Sequence, residues 1–248
     1  MAALSIRTLD FDNFLQIQNE ELKRLTAKDI LESFKTIGFV CLTNHGLPQE
    51  KVDKMFEWSK KFFSLPMESK MLAPHPPSGT HHRGYSAPGV EQVGKSMDIS
   101  QASKSLPTTS DIKESFECGK EDDSLMPNIW LPEDVLPGFR EVCLDFYWTC
   151  YELEKHILRA LAIAFDLAED YFMPFHREVD NQLRLLHYPS VSYQHGEDLS
   201  RIAAHTDYDT FTLLFQDDVG GLEVEDPHRP GIFVNQCQMR LWLTLGTS

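Results

Sequence analysis

The residues best suited to metal chemistry are His205 and Asp207, which lie two positions apart at the start of an apolar run. On a strand, residues i and i+2 point to the same side, so this imidazole and carboxylate can reach one ion. They supply two ligands of a 2-His-1-carboxylate site, which leaves positions on Fe(II) open for substrate and oxygen. A His-x-Asp pair taken alone more often reflects a structural hydrogen bond, so its weight depends on the surrounding sequence.

The first segments of the chain predict helices around one strand. Residues 26–37 form an apolar helical pattern that Thr26 can cap, and Pro48 begins a second helix that extends to about Phe63. The β-branched and aromatic run between them predicts a strand that ends in the turn Asn44-His45-Gly46.

The remaining segments change from loops to a helix and then to strands. Residues 73–128 are rich in Pro, Gly and Ser, which predicts long irregular loops. A long amphipathic helix is predicted over residues 138–167, and short strands divided by turn residues follow from residue 183. The chain is therefore predicted to be α+β, with the His-x-Asp pair in its β half.

The charge of the chain limits the partners that we expect. The formal net charge is −15, which argues against binding to nucleic acids and anionic membranes because both are polyanions. No signal peptide is recognisable, and the most apolar window, residues 157–168, is too short to span a bilayer. Five cysteines without a CxxC pair favour buried free thiols in a reducing compartment. We therefore predict a cytoplasmic protein without nucleic-acid or membrane partners, and the sequence does not predict its oligomeric state.

Six segments in order give the sequence a family resemblance. They resemble the isopenicillin-N-synthase-like branch of the Fe(II)- and 2-oxoglutarate-dependent dioxygenases, collinearly and up to about Val234. The segments are GFVCLTNHGLPQEKVDKMFEWSKKFFSLPMESK, HHRGYSAPGVEQVG, DIKESFECG, NIWLPEDVLPGFR, LRLLHYP and AHTDYDTFTLLFQDDVGGLEV.

The resemblance implies a jelly-roll (double-stranded β-helix) core, incomplete at the C-terminus and framed by helices. It implies an N-terminal region over residues 1–130, a central helix region over 131–180 and a partial catalytic core over 181–248. It makes His205 and Asp207 iron ligands and places Tyr188 near 2-oxoglutarate.

The resemblance also implies the chemistry. The cofactor is Fe(II), the cosubstrates are 2-oxoglutarate and O2, and succinate and CO2 are released while a small metabolite is hydroxylated, desaturated or cyclised. Biosynthesis of secondary metabolites is a family-level expectation. Candidates for lining the substrate pocket are Arg83, Tyr85 and Phe211, although structural packing explains the first two equally well. We expect His81 and His82 to lie in a solvated loop and His187 to point away from the pocket.

The end of the sequence departs from the pattern of the family. A second ligand histidine and an Arg-x-Ser clamp for 2-oxoglutarate are expected well beyond Asp207, but the only later histidine is His228, in a turn. Truncation or mis-splicing is the favoured explanation, and it predicts that this chain alone is poorly active. The alternatives are a degenerate relative, or a site completed by His228 or His195, with Arg229 or Arg240 as the clamp.

Three other functions stay open on the sequence. An oxidase that works without 2-oxoglutarate would share the fold, and this function stays open because the Arg that would distinguish the two is missing. An inactive remnant could act as a binding module, and His205 and Asp207 with another ligand could hold zinc in a non-redox metalloprotein.

Overall fold

The computed structural model describes residues 6–16, 18–77, 81–90, 112–190, 209–226, 229, 233–234 and 241–245. The helices are α1 (Asp12–Leu15), α2 (Glu20–Ile37), α3 (Gln49–Phe63), α4 (Met67–Lys70) and α5 (Phe139–Ala164), with a short 3-10 helix at Met173–Phe175. The strands are β1 (Thr8–Asp10), β2 (Phe39–Thr43), β3 (Gly84–Ser86), β4 (Glu114–Cys118), β5 (Leu183–His187), β6 (Phe211–Phe215), β7 (Val224–Glu225), β8 (Phe233–Val234) and β9 (Leu241–Leu245).

Contacts divide the chain into two compact units, each built from separate segments. The first comprises residues 1–51, 148–179 and 206–248, and the second comprises residues 52–147 and 180–205. These units do not coincide with the three consecutive regions expected from the sequence, and that division of the family domain stays a prediction.

The first unit contains a four-stranded sheet with the order β1-β2-β9-β6. β1 is parallel to β2, and β9 pairs antiparallel with both β2 and β6. Neither β1 nor β9 was predicted, and residues 241–245 were wrongly assigned to a divergent tail. The signal in this tail was the alternation of leucines, since Leu241 and Leu243 are buried on one face.

Helix α2 begins earlier than the sequence pattern indicated. The side chain of Asn19 accepts a hydrogen bond of 3.0 Å from the backbone N–H of Leu22, which makes Asn19 the N-cap. Thr26 instead lies inside the helix and donates its hydroxyl to the carbonyl of Leu22 at 2.9 Å. The predicted end at Ile37 is confirmed, and Gly38 follows it in the left-handed conformation, with φ of 79°.

The second unit contains a three-stranded antiparallel sheet with the order β3-β4-β5. Two of these strands lie within residues 73–128, so the prediction of irregular loops throughout that region was wrong. β4 gave no alternation to detect, because all five of its residues are buried although three of them are polar. The predicted helices that end near Phe63 and begin near Gly138 are confirmed as α3 and α5.

The two faces of this sheet differ in chemistry. Register pairs Phe116 with both Tyr85 and Leu185, and Glu114 with His187, so these five residues share what we call the aromatic face. Phe62 packs there, with its ring centroid 4.8 Å from that of Phe116. The opposite, polar face carries the residues of the other parity, which are Ser86, Ser115, Glu117, Arg184 and Leu186.

Two whole-chain expectations can be compared with the structure. Among the residues that the structure describes, no helix is both long and apolar enough to cross a membrane. The four cysteines within the described ranges form no disulfide, and Cys41, Cys118 and Cys143 are buried, as predicted, whereas Cys150 is half-buried. A cytoplasmic location stays a prediction.

Candidate functional site

The residues predicted to hold iron and cosubstrate fall partly outside the described ranges. His205 and Asp207 lie outside the described residues, as do His195 and His228. Tyr188 directly follows β5 and is half-buried, and Phe211 is the half-buried first residue of β6. The roles assigned to these residues by the family resemblance stay predictions.

Arg83 is almost completely buried, with 1% of its surface exposed. Its guanidinium donates to the carbonyls of His82 and Met126, at 2.8 and 3.2 Å, and to the carboxylate of Asp123, at 3.2 Å. A Cβ on Gly119 would lie 2.2 Å from this guanidinium, so a side chain there would displace the Arg83 side chain from its partners. These contacts give Arg83 a structural role, and contact between Arg83 and a substrate stays a prediction.

Tyr85 belongs to a buried network around Glu114 on the aromatic face. The Glu114 carboxylate accepts hydrogen bonds from the Tyr85 hydroxyl at 2.5 Å and from Lys70 Nζ at 2.7 Å, and His187 Nδ1 lies 2.7 Å from it. Burial alone would raise the pKa of Glu114, but the bonds from Lys70, Tyr85 and His187 bring it below its ordinary value. Burial and the bond to Glu114 raise the pKa of Tyr85. The Tyr85 hydroxyl is therefore engaged within the protein.

His187 lies on the aromatic face, on the side of the sheet opposite to Leu186. Its ring stacks on Phe63 with centroids 5.3 Å apart. Strand alternation, continued one residue beyond β5, places Tyr188 on the side of Leu186 and Arg184. This alternation agrees with the expectation that His187 and Tyr188 point to opposite sides of the strand.

A second group of chemically capable residues lies beside the polar face. Glu117, with 1% of its side chain exposed, has its Oε1 atom 2.8 Å from Arg184 Nε. Its Oε2 atom lies 3.9 Å from His75 Nε2 and 3.9 Å from His82 Nδ1. We call His75, His82 and Glu117 the His-His-Glu cluster, and all three of its candidate ligand atoms lie within 4.8 Å of one another.

The fold brings this cluster together through the segment before β3. His75 N donates to Tyr85 O at 2.8 Å and Tyr85 N donates to Ala73 O at 2.7 Å, which fastens residues 73–75 along β3. Gly84 permits this approach, because its φ is +85° and an added Cβ would lie 2.8 Å from Ala73 O. His75 is thereby held beside β3, in which Gly84 pairs with Glu117 of β4.

Sequence reasoning missed the His-His-Glu cluster. His82 was expected in a solvated loop, and neither His75 nor Glu117 was singled out. Glu117 is distant in the chain from His75 and His82, so the pairing of β3 with β4 is needed to reveal the cluster. Two imidazoles and one carboxylate are ligand types for Fe(II) and for Zn(II), and the cluster shares no residue with the predicted His205–Asp207 pair.

Family models match both halves of the chain. The model described as non-haem dioxygenase in morphine synthesis N-terminal matches residues 6–133, and that of the 2OG-Fe(II) oxygenase superfamily matches residues 179–247. The second match continues through β9, so the expectation that the resemblance ends soon after Val234 was wrong.

Curated relatives are similar along most of this chain. A proline hydroxylase of Petromyces alliaceus is 42% identical over 93% of this chain and 70% of its own length. A 2-oxoglutarate-Fe(II) type oxidoreductase of Metarhizium rileyi is 40% identical over 92% of this chain and 65% of its own length. This chain thus spans about two thirds of the length of these relatives.

Solved structures give the same assignment. A full-length Neurospora crassa protein, crystallised in complex with α-ketoglutarate, has a TM-score of 0.81 and 38% identity, covering 96% of this chain and 72% of that one. The complex of the same protein that also holds thymine has a TM-score of 0.84 and 37% identity, covering 97% and 73%. The predicted α+β jelly-roll fold is confirmed, and the chain belongs to the 2-oxoglutarate- and Fe(II)-dependent oxygenase superfamily.

Proposed function

We propose that this protein is an Fe(II)- and 2-oxoglutarate-dependent oxidoreductase that acts on a small molecule. The observation that carries the proposal is the match of the 2OG-Fe(II) oxygenase model to residues 179–247, the segment that contains Tyr188, His205 and Asp207. When bound, the iron supplies the oxidation of a C–H bond, coupled to conversion of 2-oxoglutarate and O2 to succinate and CO2.

In this proposal, His205 and Asp207 are the iron ligands and the hydroxyl of Tyr188 faces 2-oxoglutarate. A tyrosine hydroxyl both donates and accepts hydrogen bonds, which suits it to a carboxylate of the cosubstrate. By the family resemblance an asparagine is expected at position 186, and Leu186 offers the cosubstrate no polar group there. His205 and Asp207 would hold the iron and would leave other coordination positions open for cosubstrate and oxygen.

The substrate class in this proposal is a small metabolite. One relative carries the name proline hydroxylase, and one of the Neurospora crassa structures holds thymine, which supports a small and polar substrate. The net charge of −15 supports the further proposal of no nucleic-acid or anionic-membrane partner. The five cysteines without a CxxC pair support the proposal of a cytoplasmic location.

Anaerobic titration of the purified protein with Fe(II) and 2-oxoglutarate tests this function. We expect a saturable visible charge-transfer band from chelation of iron by the cosubstrate, and loss of this band in His205→Ala and Asp207→Ala. The control Asp218→Ala, at an exposed aspartate beyond β6, keeps the band. No band from folded protein, or an unchanged band in both ligand variants, would overturn the proposal.

A further inference from the structure

We propose that the His-His-Glu cluster binds a divalent transition-metal ion at a site separate from the iron site, and we take this ion to be Zn(II) because sites with nitrogen and oxygen ligands generally hold Zn(II) more tightly than Fe(II). The cluster is complete within the second unit and shares no ligand with the predicted iron pair. Because the two ligand sets differ, zinc binding by the cluster and iron binding by His205 and Asp207 can be measured separately.

The spacing of the donor atoms suits a bridging cation better than direct hydrogen bonds. Glu117 Oε2 is 3.9 Å from an imidazole nitrogen of both His75 and His82, which is too long for a hydrogen bond. Zinc bonds of about 2.0–2.2 Å in tetrahedral geometry place neighbouring ligand atoms about 3.4 Å apart. Each carboxylate–imidazole edge therefore needs to shorten by only about 0.5 Å on metal binding.

The tautomer of His75 favours metal binding through Nε2. His75 Nδ1 lies 2.6 Å from the carbonyl of Pro76, and a carbonyl can only accept a hydrogen bond. Nδ1 therefore carries a proton, which leaves Nε2, 3.9 Å from Glu117 Oε2, as the ring nitrogen that would bind a metal ion. Metal-binding histidines are commonly held in this way by a backbone carbonyl on the other ring nitrogen.

Arg184 contacts one oxygen of the Glu117 carboxylate and orients that group. Its Nε contacts Oε1 of Glu117 at 2.8 Å, whereas both imidazoles lie nearest to Oε2. Ligand carboxylates are themselves usually hydrogen-bonded through their second oxygen. The guanidinium is also a nearby positive charge, so we expect weaker binding here than in a closed zinc site made of thiolates.

Access and coordination number are consistent with an exchangeable site. Glu117 is buried, with 1% of its side chain exposed, whereas half of the His82 side chain, 51%, is exposed. An ion can therefore enter past His82, and a water molecule can provide the fourth ligand of a tetrahedral zinc ion. Three protein ligands with one open position are typical of zinc sites that exchange a ligand.

The test uses the metal-free Asp207→Ala protein, in which the iron site is disabled, and Zn(II) alone as the probe. Equilibrium dialysis with elemental analysis gives the stoichiometry, and competition with a chromophoric chelator gives the affinity. We expect one zinc ion per chain. Adding His82→Ala weakens the affinity at least about tenfold, as expected for the loss of a ligand or of its support.

The matched control is His81→Ala, which removes the neighbouring histidine that lies outside the cluster and leaves zinc affinity unchanged. Glu117→Gln also weakens binding, but His82→Ala decides the test because His82 is half-exposed and its loss leaves the fold intact. Near-ultraviolet circular dichroism verifies folding of each variant.

Three results would overturn the inference. They are no zinc bound by folded Asp207→Ala protein, equal loss of affinity in His81→Ala and His82→Ala, and loss of the iron–2-oxoglutarate band in His82→Ala. The last result would assign the cluster to the iron site. Failure of the band in the wild-type protein would count against the oxidoreductase function alone.

Discussion

Strand β4 carries two buried glutamates on opposite faces of one sheet, and their surroundings differ. Glu114, on the aromatic face, is contacted at 2.5–2.7 Å by Lys70, Tyr85 and His187. Glu117, on the polar face, has Arg184 at 2.8 Å on one oxygen and two imidazoles at 3.9 Å from the other. The first carboxylate is enclosed by direct partners, whereas the second lies in a set whose spacing fits an added ion.

Glu114 is a structural carboxylate, whereas we propose that Glu117 binds a metal ion. A buried charge is costly unless it is paired, so Glu114 and Lys70 must be retained together. Glu117 faces partners with some access to solvent, since 35% of the Arg184 side chain is exposed. We therefore expect substitutions on the aromatic face to change stability, and those beside the polar face to change metal binding.

The largest effect is expected for Lys70→Met, which leaves Glu114 without its buried cation. Lys70 and Glu114 have 7% and 5% of their side chains exposed. Removal of one partner from a buried pair costs about 3–5 kcal/mol of the free energy of unfolding. Urea denaturation measures this loss. The control Lys61→Met breaks the exposed pair with Glu57 on α3, and we expect a much smaller loss because solvent screens an exposed pair. Equal losses in the two variants would contradict a structural role for Glu114.

Glutamine substitutions of Glu114 and Glu117 separate the effects of the two faces of β4 on stability and on zinc binding. Glu114→Gln lowers the free energy of unfolding by about 1–3 kcal/mol, because its donors lose a charged acceptor in a buried site, and it leaves zinc affinity unchanged. Glu117→Gln lowers stability less, because Arg184 reaches water, and it weakens zinc binding. Urea denaturation and zinc competition measure both properties. A zinc defect in Glu114→Gln equal to that in Glu117→Gln would remove the distinction between the faces.

The smallest effect is a pH dependence that comes from Glu114. Because its pKa in the folded protein lies below the ordinary value, the ionised carboxylate stabilises the fold above the unfolded pKa of about 4.3. This contribution is lost as the pH falls through the folded value. The difference in stability between wild type and Glu114→Gln therefore narrows below about pH 4.3. Chemical denaturation at pH 7 and below pH 4 measures it, and a difference that widens in acid would contradict the assignment.

The sequence predicted the family and the elements whose patterns are local. α3, α5, β2 and the turn at Asn44 follow from helical periodicity, β-branched residues and turn residues. β1, β3, β4 and β9 were missed because each is defined by a partner elsewhere in the chain. β4 was the hardest to detect, since glutamates in a strand look exposed until their partners are known.

Prediction of the site was limited by the same dependence on long-range pairing. The His-x-Asp motif gained weight only from the order of six surrounding segments, and its residues lie outside the described ranges. The His-His-Glu cluster has no motif, because pairing of β3 with β4 and the close approach at Gly84 create it. Arg83 and Tyr85 were expected either to line the substrate pocket or to pack structurally, and their hydrogen bonds to Asp123 and Glu114 support the second role, while the first stays a prediction.

Anomalous diffraction from crystals grown anaerobically with Fe(II), Zn(II) and 2-oxoglutarate tests the separation of the two sites most directly. Data collected on both sides of the iron and zinc absorption edges identify each element by position. We predict an iron-specific peak beside His205 and Asp207, and a zinc-specific peak between His75, His82 and Glu117. An iron-specific peak within the His-His-Glu cluster, or no metal peak there, would contradict the account.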